Sequence, residues 1–241
     1  MLLPNLIDGR ILRRYKRFLA DVELADGSIV TAHVPNTGNM VTCWSPGAPV
    51  QLSHSDDPRR KLAWTLERVD MGAGWVGVHT GRTSAVIAEG VTQGRIPALA
   101  GYRELRREVK FAPTGHPVGR LDIALVQGPA TDVLLEVKNV TLLDGNRLRF
   151  PDAVSARGRK HLDLLQAVVE QGGRGVMLYA VNRPEGESFA PAWSIDPAYA
   201  GGLVAATKAG VEVLAVRIRH TETGLEVAEQ LPVGLAPMPL T

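Results

Sequence analysis

Near residue 80 the hydrophobic period of this 241-residue chain changes, and the change divides it in two. Upstream, apolar and polar residues alternate in short runs: Arg10 to Leu24, Ser28 to Val34, Pro49 to Ser53, Trp64 to Val69 and Trp75 to His79. Alternation marks half-buried strands, and runs joined at these spacings suit an OB-like β-barrel. Asp26-Gly27 predicts a hairpin, and Pro35-Asn36-Thr37-Gly38 predicts a turn in which Gly38 takes a positive φ.

Downstream, Ser84 to Thr92 and Ala98 to Arg107 read as helices, the second leading into Glu108 to Phe111. Arg120 to Val126 and Val133 to Lys138 read as strands paired across Gly128-Pro129. Asp152 is placed to cap a helix running to about Gln171 and closed by Gly172-Gly173, and Gly175 to Val181 reads as a buried strand. A second helix runs from Asp196-Pro197 to Gly210, before strands Val211 to Arg217 and Leu225 to Val227. Strand, helix, strand implies a parallel crossover and an α/β domain. The expected organisation is an OB-like domain over 1–80, an α/β domain over 81–231 and a frayed Pro-rich tail over 232–241.

Hydrophobic residues make up 45% of the chain, enough for substantial cores without staples. The single cysteine, Cys43, excludes an intramolecular disulfide and a thiolate metal cluster, and reads as a small buried hydrophobe. No apolar run approaches the roughly 20 residues of a membrane span, and no apolar segment of a signal peptide follows the basic N-terminal stretch, so a cytoplasmic protein without a membrane partner is expected. A net charge of +2 means that any nucleic-acid contact must come from locally arranged charge. His33, His54, His79 and His116 show no metal-ligand spacing.

Two segments carry chemistry. Strand alternation puts Leu121, Ile123 and Leu125 on one face and Asp122 on the other, and sends Glu136 and Lys138 to one face of the next strand. Paired across the turn, two carboxylates and an ammonium converge. Two carboxylates can hold Mg²⁺ (or Mn²⁺) while leaving positions for water and a phosphate oxygen, and a lysine within reach can stabilise charge on that phosphate. Asp122 followed by Glu136-x-Lys138 resembles the PD-(D/E)XK nuclease motif, with Glu108 as the candidate helix-borne third acid, although Leu121 stands where that motif carries proline. The competing reading is a structural ion pair on a solvated face, with Glu108 on an ordinary charged helix face.

Arg157, Lys160 and His161 fall on one face of the helix after Asp152, where they could contact phosphates. Near the N-terminus, Arg13, Arg14, Lys16 and Arg17 interleave with Tyr15 and Phe18, the mixture of charge and stacking surface used by single-strand binders. The alternative puts one of these aromatics in the barrel core and leaves the cations solvated. Asn36 in the Pro35 turn joins the candidate nucleic-acid contacts.

Together, Arg14-Tyr-Lys-Arg-Phe-Leu-Ala-Asp21, Pro35-Asn-Thr-Gly-Asn-Met40, Glu136-Val-Lys-Asn-Val-Thr-Leu142, and Phe150-Pro-Asp-Ala-Val154 with Arg157-Gly-Arg-Lys-His-Leu162 resemble the sugar fermentation stimulation protein A family, over Arg10 to Ile218. The resemblance implies an OB-like domain followed by a restriction-endonuclease-like domain and DNA as partner, with nuclease-like residues at Asp122, Glu136 and Lys138 and a candidate third acid at Glu108. The function expected is a Mg²⁺-dependent phosphodiesterase acting on DNA, single-stranded or structured; the alternative is a non-catalytic DNA-binding regulator on the same fold. The oligomeric state stays open, a homodimer included.

Overall fold

The computed structural model describes residues 1–115 and 117–236. The first unit is built from β1 (Leu6–Tyr15), β2 (Leu19–Leu24), β3 (Ile29–His33), β4 (Pro49–His54), β5 (Trp64–Asp70) and β6 (Trp75–Gly77). Antiparallel ladders run β3-β2-β1-β4-β5, and a short parallel pairing of Ala32 with Trp64 and His33 with Thr65 joins the two ends. The result is a closed five-stranded OB barrel, with β6 added beyond β5. Its inward positions are the expected alternating ones: Ile11, Val22, Ala32, Val50, Leu52 and Leu66 are buried together with Cys43. Closure leaves no long free edge at which another chain could pair.

The run Arg10 to Leu24 is two strands. It breaks at Lys16 and Arg17, whose φ values of 50° and 65° turn the chain without glycine, and the Arg14 guanidinium donates to the Arg17 carbonyl at 2.6 Å across the turn. Neither Tyr15 nor Phe18 enters the barrel core: Tyr15 donates its hydroxyl to Asp21, and Phe18 is 47% exposed. Asp26-Gly27 makes the expected hairpin, with Gly27 at φ 81°. Gly38 does not take a positive φ; the left-handed residue of that segment is Met40, at 56°. Gly38 is required for another reason, because a Cβ there would overlap the Asp152 carboxylate.

The second unit is a six-stranded sheet between helices. α1 (Thr80–Thr92) leads to β7 (Glu104–Phe111), β8 (Gly119–Val126) and β9 (Val133–Val140). After β10 (Leu142–Asp144) and β11 (Arg147–Phe150) come α2 (Ala156–Glu170), β12 (Arg174–Val181), β13 (Ser188–Pro191), α3 (Pro197–Lys208), β14 (Glu212–His220) and β15 (Leu225–Gln230). The sheet order is β15-β14-β12-β9-β8-β7; β9, β12 and β14 are parallel and the outer strands antiparallel. β12 is central and buried on both faces: Val176, Leu178 and Ala180 join the core under α1, whereas Met177, Tyr179 and Val181 join the core under α2 and α3. β10, β11 and β13 form a separate three-stranded sheet that the sequence pattern did not predict.

The expected helix over Ala98 to Arg107 is replaced by a single 3₁₀ turn at Pro97–Leu99 and by β7. Glu, Leu and Arg favour helix, but pairing with β8 wins, as tertiary context routinely does over weak propensity. The α2 cap is Ser155, which accepts from the Gly158 amide at 3.0 Å, and not Asp152. Asp196 and Pro197 start α3 as expected. The expected fraying from Pro232 is not seen to Ala236: the Phe189 and Gly234 amides bond across this segment, and Val233 and Leu235 pack on the core. Residues 237–241, with the end of the Pro-rich stretch, and His116 lie outside the described residues.

Before the barrel begins, Leu3 packs against the α1 core and donates its amide to the Thr223 carbonyl, and Leu2 bridges to Gly224. The units also meet at the Gly38 segment, where the Met40 amide donates to Asp152 Oδ2 and Asn39 Nδ2 to the Asp152 carbonyl, each at 3.0 Å. Arg183 bonds the Thr141 carbonyl at 2.6 Å and Thr42 at 3.2 Å, tying the same barrel segment to the end of β9.

Candidate functional site

β8 and β9 pair only from Ile123–Leu135 to Leu125–Val133 and then separate. Asp122, the next residue of β8, lies where the ladder ends, and its Oδ2 accepts the Val137 amide at 2.7 Å. A side chain thus replaces a backbone acceptor at the separation point, satisfying an amide that would otherwise lose its partner. The strand also changes face here: Ile123 and Leu125 pack under α1, but Leu121 packs with the α2 core, so the predicted alternation of all three on one face fails. Glu136 and Lys138 do share a face of β9, the face that looks toward α2.

Glu136 is 3% exposed and Lys138 donates to its Oε1. His161 of α2, 8% exposed, places Nδ1 against the same oxygen, and Arg157 Nε lies 3.4 Å from His161 Nε2. The contacts form a consistent chain in which Arg157 donates to Nε2, an Nδ1 proton donates to Glu136, and Lys138 donates beside it. Both donors use Oε1. Glu136 Oε2 is buried and has no hydrogen-bond partner, a costly state for a carboxylate oxygen.

Burial, with the Glu136 carboxylate close by, pushes the Asp122 carboxyl up to about 6. Burial acts on Glu136 in the same sense, but the His161 hydrogen bond and the Lys138 charge hold it below the ordinary value. The two acids therefore titrate apart, with Glu136 ionised first.

Asp122 and Lys138 face a cleft of about 380 Å³ whose opposite wall is the barrel segment Asn36, Thr37 and Gly38 with Arg17; Thr80, Thr83 and Ser84 of α1, Arg149 and the stretch from Phe150 to Ser155 also line it. Glu136 lies behind this lining. Among the described residues no group of three or more His, Cys, Asp or Glu is arranged to hold a metal, so a cation here would have two protein carboxylates at most.

The structure sorts the remaining candidates. Glu108 is on strand β7, not on a helix; it falls between the Arg107–Ile123 and Val109–Leu121 pairs without a register partner of its own, at φ 54°, exposed, with Arg120 at 3.4 Å. Arg14 is a structural residue: it donates to the carbonyls of Arg17, Asn36, Gly38 and Asn39 and holds the barrel wall of the cleft. Arg13 pairs with Asp21 at 2.7 Å and covers the Tyr15 ring. Lys16 and Arg17 are exposed at the β1–β2 turn, and Arg17 alone of this group lines the cleft. Asn36 is buried, and its Oδ1 accepts the Gly38 amide at 3.0 Å. Arg157 and Lys160 are exposed but are not in the cleft wall, and His161 is turned inward to Glu136. Sequence reasoning missed Thr37, Arg149 and Ser155, which only the docking of the two units and the unpredicted small sheet bring to the cleft. It also missed Asp152 as a latch, because the close approach of its carboxylate to Gly38 exists only once the barrel is docked.

Comparison with known proteins agrees with this architecture. Residues 12–78 match the family profile described as the SfsA N-terminal OB domain, and residues 81–224 that of the sugar fermentation stimulation protein RE domain. A sugar fermentation stimulation protein homolog of Geobacter sulfurreducens is 46% identical over 97% of this chain and 98% of its own length. One from Acidithiobacillus ferrooxidans is 47% identical over 96% and 99%. The structure of Pyrococcus furiosus SfsA in complex with Ca²⁺ superimposes with a TM-score of 0.85 at 24% identity, covering 97% of this chain and 98% of that one. The fold is an OB barrel followed by a restriction-endonuclease-like α/β domain, and the chain belongs to the sugar fermentation stimulation protein family.

Proposed function

We propose that this protein binds DNA at the cleft between its two units and cleaves phosphodiester bonds there with Mg²⁺ or Mn²⁺. The observation that carries the reading is Glu136 Oε2, a buried carboxylate oxygen without a hydrogen-bond partner, beside Asp122 at the point where β8 and β9 separate. Such an oxygen next to a second carboxylate suits a hard cation, and Mg²⁺ commonly takes only one or two carboxylates and completes its shell with water and phosphate oxygens. The donor set therefore fits. When bound, the ion would polarise the phosphate and make water a better nucleophile. Lys138, held by Glu136 on the cleft wall, can stabilise charge developing on the phosphate, and His161 fixes the Glu136 carboxylate through its ring. The relative from Pyrococcus furiosus is a Ca²⁺ complex, but at 24% identity that likeness speaks for the fold, and the cation assignment here rests on Asp122 and Glu136.

DNA as the partner is supported by the cations on the lining, Arg17, Lys138 and Arg149, set against two carboxylates that would repel phosphate unless a cation lay between them. A cytoplasmic location belongs to the same reading; among the described residues no helix is long and apolar enough to cross a membrane. One observation favours DNA binding without turnover: Glu136 Oε1 is already satisfied by Lys138 and His161 with no cation. Incubating labelled DNA with Mg²⁺, Mn²⁺ or EDTA, beside Asp122→Asn and Glu136→Gln, separates the two. Metal-dependent cleavage lost in both variants is the expected result. Binding without cleavage in every condition, unchanged in the variants, would leave a binding module.

A further inference from the structure

Resting on that reading, we propose that the cleft accepts an unpaired DNA strand and excludes a base-paired one, with Arg17 and Phe18 of the β1–β2 turn receiving the strand. The first ground is size. About 380 Å³ lies at the low end of clefts that hold one small molecule, about 300–1,000 Å³, which is room for roughly one nucleotide between the walls. Asp122 and Lys138 are on its wall and Glu136 is behind them, so the phosphate to be cleaved has to enter.

The second ground is that the walls are fastened to each other. Asp152 holds the Met40 amide, Asn39 holds the Asp152 carbonyl, and Arg183 joins Thr42 to Thr141. Widening the cleft to the breadth of a duplex would break all of these at once.

The third ground is the chemistry at the turn. Arg17 lines the cleft, and Phe18, the next residue, stands just outside the lining with its apolar ring 47% exposed. Val154 on the facing wall is 70% exposed. A cation for the backbone beside an aromatic face for a base is the pairing that holds single strands, and the first hairpin turn is one of the loops with which OB barrels grip oligonucleotides. Duplex bases are stacked on each other and offer no such face.

The test is fluorescence anisotropy with the full chain, in Ca²⁺ and in EDTA, using a labelled strand of about 12 nucleotides and its blunt duplex. The strand should bind at least about tenfold more tightly than the duplex, and Phe18→Ala should weaken strand binding about tenfold while Phe18→Trp retains it, with all variants still folded at the assay temperature by thermal melting. Duplex binding equal to or tighter than strand binding, or a Phe18→Ala variant that binds the strand like the parent, overturns the inference and leaves DNA as partner. Failure to bind either form overturns both readings.

Discussion

Replacing Gly38 with alanine should unfasten the barrel from the α/β domain. Gly38 has no positive φ, so alanine meets no backbone strain; the nearest obstacle is the Asp152 carboxylate, which a Cβ would overlap. That carboxylate accepts the Met40 amide at 3.0 Å. Losing a hydrogen bond to a charged group costs about 1.5–3 kcal/mol, most of it from stranding the buried Met40 amide, so that is the expected loss. Asp152→Ala removes the same acceptor and should cost a similar amount. In the double variant the alanine at 38 no longer meets the Asp152 carboxylate, and its added cost should fall toward zero, a coupling of about 1.5 kcal/mol or more. Gly27→Ala is the control: its φ of 81° and open surroundings predict about 1 kcal/mol of strain, the same with or without Asp152. Urea unfolding followed by tryptophan fluorescence reads all six proteins. A Gly38→Ala cost within about 0.5 kcal/mol of zero, or full additivity with Asp152→Ala, would refute the latch.

Three further outcomes follow from the charges. Burial and the Arg68 charge press the His220 imidazole down to about 3, and neither ring nitrogen has a partner. The unfolded chain takes up that proton below about 6.5 and the folded chain does not, so stability falls as pH drops from 6.5 toward 3; the parent should lose about 2 kcal/mol more than His220→Leu between about pH 7.5 and 5, and parallel pH curves would refute this. Asp122 runs the other way: with its carboxyl raised to about 6, the folded state is penalised above that pH, so Asp122→Asn should raise stability at neutral pH by on the order of 2 kcal/mol, with the gain gone below about pH 4, while cleavage is abolished. A destabilised Asn variant at neutral pH would show that the carboxylate is not under such a penalty. His161→Ala should cut cleavage about 10–100-fold at unchanged strand affinity, because it holds Glu136 and not the DNA; parallel loss of both would return His161 to a phosphate contact.

The parts of the fold visible in the sequence are those where one local rule and the tertiary structure agree. The barrel strands show period-2 burial because each has one face in a closed core, and Asp196-Pro197 starts a helix because cap chemistry is local. Asp122, Glu136 and Lys138 were legible because a charge in an otherwise apolar strand stands out. What failed was non-local. Glu104 to Lys110 carries helix-favouring residues and becomes an edge strand only because β8 offers a partner. Arg14 reads as a surface cation, yet carbonyls more than twenty residues away claim it. Nothing in Asp152 itself distinguishes a helix cap from an acceptor for Met40, and the choice is made by where the barrel docks.

The pairing of Leu2 and Leu3 with Thr223 and Gly224 changes how the two units are related. Because the chain leaves the α/β domain after Leu3 and returns to it at α1, the barrel is topologically a guest inserted into its host, carried on two stems. A guest on two stems cannot swing about a single hinge, and excising it at one junction strips its host of residues that cover the α1 core. A host expressed by itself should be rebuilt with a short linker between residue 3 and residue 80, and not simply cut at the barrel's end.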